Sequence, residues 1–93
     1  MIQGFRDRLT KEVADGGRPR RFPQDLLKTA HRKLTMLDAA HVLDDLRSPP
    51  GNRLEALAGD RAGQHSIRIN DQWRICFVWT DAGPDNVEIV DYH

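Results

Sequence analysis

Ninety-three residues, with fourteen Lys and Arg balanced by fourteen Asp and Glu, give a chain with room for one core and no net charge. Hydrophobic residues make up 39% and no apolar run nears the roughly 20 residues of a membrane span, which excludes a transmembrane helix, and one cysteine excludes an internal disulfide. Charge is polarised: residues 1–34 hold nine basic against four acidic side chains (+5) and residues 35–93 five against ten (−5), so this is not a uniformly basic nucleic-acid binder.

The start, MIQGFRDRLTKE, is charged throughout and has no signal-peptide core; with the lone Cys76 it points to a cytoplasmic protein. Met1 to Phe5 is expected to form a short strand. Phe5, Leu9 and Val13 fall on one helical stripe, predicting a helix over 6–15. GGRPRR, residues 16–21, interrupts it with a basic loop. The spacing of Leu27, Ala30, Leu34 and Leu37, with Pro23 and Asp25 suited to a first turn, predicts a helix over 23–38, with Lys28, Arg32 and Lys33 on other faces. Asp38 is expected to cap a second short helix running to Leu46, which SPPGN (48–52) ends.

The period then becomes two. RLEALA (53–58) is expected as a strand closed by the GDRAG loop. In 64–70, His65, Ile67 and Ile69 fall on one side and Ser66 and Arg68 on the other. Asn70-Asp71-Gln72 supplies a turn. Trp73, Ile75, Phe77 and Trp79 then share a face opposite Arg74 and Cys76, with Cys76 expected buried. TDAGPDN turns the chain into a last strand, Val87–Tyr92. The class expected is α+β over one domain, 1–93: a short N-terminal strand, then helices packed on one face of a curved, mostly antiparallel sheet.

The chemistry-bearing residues gather at strand ends. Antiparallel pairing brings the start of the strand at Arg74 beside the end of the strand at Asp91-Tyr92-His93. Arg74, Arg61 and Arg53 offer planar, permanent donors to phosphate oxygens. His93 titrates near neutrality, Asp91 can orient it or act as base, and Tyr92 can donate a hydrogen bond or stack on a base. RNA cleavage needs these roles: removal of the 2′-OH proton, stabilisation of the phosphorane and protonation of the leaving oxygen, with no cofactor or metal in that route. The residues alone also admit a solvated chain end, Arg74 paired with Asp60 or Asp91, and Trp73 and Trp79 as core.

RLEALAGDRAGQHSIRINDQWRICFVW followed by VEIVDYH resembles the HigB branch of the RelE/ParE toxin superfamily, and SPPGNRLE is similar to its GraT-like members. The resemblance spans nearly the whole chain. It implies a RelE-like fold and the toxin of a type II toxin–antitoxin pair, a bacterial ribonuclease that enters the 70S ribosome and cuts mRNA. It further implies a HigA-like helix-turn-helix antitoxin as partner, with operator DNA met only through that antitoxin. The family's catalytic positions map onto Arg74, Asp91, Tyr92 and His93. Where many relatives carry a histidine this chain has Glu55, a general-base candidate, and a family lysine is replaced by Ala58. Arg53, Arg61, Arg68 and Trp73 complete the expected RNA contacts. Two rival activities fit the same likeness: gyrase inhibition without cleavage, as in ParE, and co-repression with the antitoxin.

Overall fold

Two helices lie against one face of a four-stranded antiparallel sheet of order β1-β2-β3-β4, in a computed structural model that describes residues 1–92. The elements are α1 (Arg8–Ala14), α2 (Leu27–Ala39), β1 (Glu55–Ala56), β2 (His65–Arg68), β3 (Trp73–Thr80) and β4 (Gly83–Asp91). The radius of gyration is 12.0 Å, as packed chains of this length have.

Strict alternation explains the sheet. Ile67, Ile75, Phe77, Val87 and Ile89 point to the helices and meet Val13, Ala30, Leu34 and Leu37 in one core. Trp73 and Trp79 flank that core on the same side. Cys76 is buried on the other side, and burial pushes its thiol pKa up.

α1 begins where Asp7 accepts the Thr10 N–H at 2.8 Å. The basic segment after it is anchored by Phe22, 1% exposed, whose ring meets Trp73 edge-on at 5.3 Å. α2 starts at Leu27 rather than at the expected residue 23, behind a 3-10 turn over Gln24–Leu26, and one of its residues departs from the expected pattern. Lys33 is buried, and its ammonium donates to Asn52 Oδ1, a partner 19 positions away that no helical period reveals. Asp38 does not cap a second helix. It lies in the last turn of α2 and accepts the Ile2 N–H at 2.8 Å. The second helix shrinks to a 3-10 turn, Leu43–Arg47, capped instead by Asp45, which accepts from the His41 and Val42 amides at 2.9 and 3.2 Å. Those two amides hold the Asp45 carboxyl below its ordinary range.

Three strand expectations change. Residues 53–58 yield only the two-residue β1, because Arg53 takes left-handed angles (φ 44°) and Gly59 another positive φ (62°). β4 starts at Gly83, four residues before the expected Val87: Gly83 turns the chain at φ 129° where any Cβ would meet the Met1 carbonyl oxygen at 2.4 Å. A bulge with Asn86 at φ 54° then lets two β4 residues oppose Phe77. Finally, residues 1–5 make an isolated bridge rather than the expected short strand. They run parallel to β4 through one bridge, Phe5 to Val87, with Gln3 N donating to Pro84 O (2.7 Å) and Val87 N to Gly4 O (3.0 Å).

This segment covers the outer edge of β4, and Thr10 finishes the job: its buried Oγ1 accepts the Ile89 N–H at 2.9 Å. Thr10→Val keeps the shape but orphans a buried donor, so it should lower stability by about 1–3 kcal/mol. Urea denaturation checks this, with an unchanged midpoint refuting it.

Candidate active site

The sheet face turned away from the helices carries the polar side chains. Cross-strand pairing sets Arg68 opposite Arg74, Arg74 opposite Val90, and Ser66 between Glu55 and Cys76. Near one end of this face Arg53, Glu55, Arg68, Asn70, Asp71, Arg74 and Tyr92 line a concavity of about 320 Å³. The backbone N–H of Tyr92 donates to Gln72 O at 2.6 Å, and the residue is 37% exposed.

Arg74 is the centre of this arrangement. Only 8% exposed, it donates from Nε to Ser66 Oγ at 2.7 Å and from Nη2 to the carbonyls of Arg53 (2.5 Å) and Ser66 (3.3 Å). All three acceptors are neutral. Among the described residues no ion pair neutralises it, so the alternatives of pairing with Asp60 or Asp91 are not realised. A buried guanidinium satisfied by dipoles keeps its full charge for an anion that enters the concavity.

The other arginines differ. Arg68 is paired with Asp71 across the Asn70 turn. Arg61 lies at the rim, donating from Nη1 to Gln64 Oε1 (3.1 Å) and Glu88 Oε1 (3.2 Å). Burial disfavours its charge, yet the Glu88 carboxylate outweighs this and raises the Arg61 pKa. Behind the site, burial first, then Arg32 and Arg68, depress the pKa of Lys33.

Of the residues expected from the sequence, Arg53, Glu55, Arg68, Arg74 and Tyr92 come together. Two do not. Asp91 stands opposite Trp73, on the helix side of β4, where its Oδ2 accepts from Gln72 Nε2 at 3.2 Å. Trp73 packs against Phe22 on that same side, so its ring belongs to the core rather than to the concavity. Arg61 borders the face without lining the concavity, and His93 lies outside the described residues. Ser66 and Asn70 were not among the expected residues. Alternation, which sets Ser66 beside Arg68, is the signal for the first; Asn70 reads in the sequence as a turn residue, which it is, accepting from the Gln72 and Trp73 amides at 2.9 and 2.7 Å. Among the described residues no group of three or more His, Cys, Asp or Glu is placed to hold a metal ion.

A model of the RelE-like toxin of the type II toxin–antitoxin system HigB matches residues 3–93. The chain belongs to the HigB-like toxin family. Its relatives include Toxin HigB-1 of Vibrio cholerae serotype O1, 45% identical over 82 residues that span 87% of this chain and 86% of the relative. An uncharacterized protein of Haemophilus influenzae is 37% identical over 67 residues, 72% of this chain and 66% of that one. This HigB-like chain is therefore the toxin of a type II pair, with an antitoxin as its partner. No helix among the described residues is long and apolar enough to cross a membrane.

Proposed function

We propose that this toxin is a ribosome-dependent, metal-independent mRNA endoribonuclease whose reaction takes place in the Arg74 concavity. The observation that carries the reading is the buried, unneutralised guanidinium beside a carboxylate and a phenol. Arg74 binds the scissile phosphate and stabilises the charge that builds on its oxygens. Glu55 takes the 2′-OH proton; it lines the concavity while Asp91 faces the other way, which favours Glu55 between the two base candidates. Tyr92 orients the phosphate or stacks on a base, and His93, the next residue, protonates the 5′-leaving oxygen. Arg53 and Arg68 hold flanking phosphates, with Arg61 at the rim. The 70S ribosome presents the strand, and a HigA-like helix-turn-helix antitoxin restrains the toxin and links it to operator DNA.

Primer extension on cellular mRNA after induction tests this. The wild-type chain should produce cuts in phase with translation, and a chain truncated after Val90 should produce none. Growth arrest without cuts would instead indicate an inhibitor of the gyrase type, and equal cutting by both chains would remove Tyr92 and His93 from the mechanism.

A further inference from the structure

Arginine has five N–H donors in a rigid fork. In Arg74 the Nε hydrogen goes to Ser66 Oγ and Nη2 donates to the carbonyls of Arg53 and Ser66, which leaves the two Nη1 hydrogens for a ligand in the concavity. The direction of the fork therefore depends on where those acceptors sit. Ser66 is 0% exposed in β2, directly across from Glu55 on β1. The Arg53 carbonyl is harder to place, because a non-glycine residue at φ 44°, ψ 58° must be held there by its surroundings.

Asn52 supplies the hold. It is also 0% exposed, and its Nδ2 donates to Leu46 O at 3.2 Å and Ser48 O at 3.4 Å. Its Oδ1 accepts from the Lys33 ammonium of α2. The backbone closes the turn, with Asn52 N donating to Pro49 O (2.9 Å) and Arg53 N to Pro50 O (3.1 Å). A cation on α2 thus locks an amide, the amide locks a turn, and the turn aims one carbonyl at Arg74.

We propose that Ser66 and Asn52 are positioning residues of the site: Ser66 by gripping Nε, and Asn52 by fixing the Arg53 carbonyl that grips Nη2. Neither reaches the substrate. Both act through Arg74, and the proposal rests on the reading of Arg74 as the phosphate-binding group.

Two measurements on the full chain test it together: proton exchange of the Arg74 Nε–H with water by NMR, and kcat and KM for mRNA cleavage on programmed ribosomes. The variants are Ser66→Ala, Asn52→Ala and, should the alanine not fold, Asn52→Asp, which keeps an acceptor for Lys33 but loses the Nδ2 donations to Leu46 O, Ser48 O and Met36 Sδ. Wild-type Nε–H should exchange slowly. Ser66→Ala should speed that exchange about tenfold or more and lower kcat by roughly 10²-fold, the scale of a small misplacement of a reacting group, with KM nearly unchanged. Asn52 variants should lower kcat in the same way. A purely structural role would alter melting while leaving the folded enzyme's kcat alone. Slow Nε–H exchange in folded Ser66→Ala, or unchanged kcat in folded Asn52 variants, overturns the proposal. If Arg74→Met cleaves as well as wild type, the phosphate-binding reading fails, and the exchange rates still decide whether Ser66 holds the guanidinium.

Discussion

Arg74→Met should lower mRNA cleavage by about 10²–10³-fold, the usual cost of removing one preorganised donor to developing charge, and it should lower the melting temperature as well. The two effects have separate causes. The Arg74 guanidinium is nearly buried, and three neutral oxygens are its acceptors. Methionine fills the space but leaves those oxygens without their donor, at a cost of about 1–3 kcal/mol for an orphaned buried group. Arg74→Lys sharpens the test: a single ammonium cannot engage Ser66 and Arg53 as a fork and still present two hydrogens outward, so its cleavage should also fall. Single-turnover rates and thermal melts of the three proteins are the measurements; a methionine variant that cleaves at the wild-type rate refutes the assignment.

Phe22→Ala should cost about 3–5 kcal/mol, the range for emptying a fully buried aromatic site. A chain of 93 residues holds roughly 5–14 kcal/mol of total stability, so the loss is a large share of it. At about 4–8 °C per kcal/mol for a domain of this size, melting should fall by at least about 12 °C. The residue matters beyond its own area because it is the apolar anchor of the segment holding Arg18, Arg20 and Arg21, all exposed, and it braces Trp73 at the entry to β3. Trp73 in turn sits beside Arg74. Calorimetry checks the size of the effect, and a shift of only a few degrees would show that the ring contributes little.

What could be read in advance followed from local rules. The alternation from His65 to Trp79, the turn at Asn70 and the apolar stripe of α2 each depend on neighbours a few positions apart, and each appears as expected. Antiparallel pairing of adjacent strands also put Arg74 near Tyr92 in advance, whereas Glu55 entered only through the family resemblance and Asp91 was expected in the same group. Other features depend on distant partners. Lys33 reads as a solvated helix residue until Asn52 is folded over it. GPDN reads as a turn because glycine, proline and asparagine favour turns, yet the N-terminal segment pairs alongside and keeps the strand going. Alternation separated Asp91 from Tyr92 but did not say which of them joins Arg74; the register, with Arg74 opposite Val90, decided for Tyr92.

The pairing of residues 3–6 with 84–87 has a bearing on biosynthesis. These contacts join segments about eighty positions apart, among the slowest kind to form. During translation the N-terminal piece must wait, its partner strand still inside the ribosomal exit tunnel, while the helices are already free to condense. Tyr92 emerges later still. A growing polypeptide thus has no assembled concavity until Tyr92 has left the tunnel and the two segments have met.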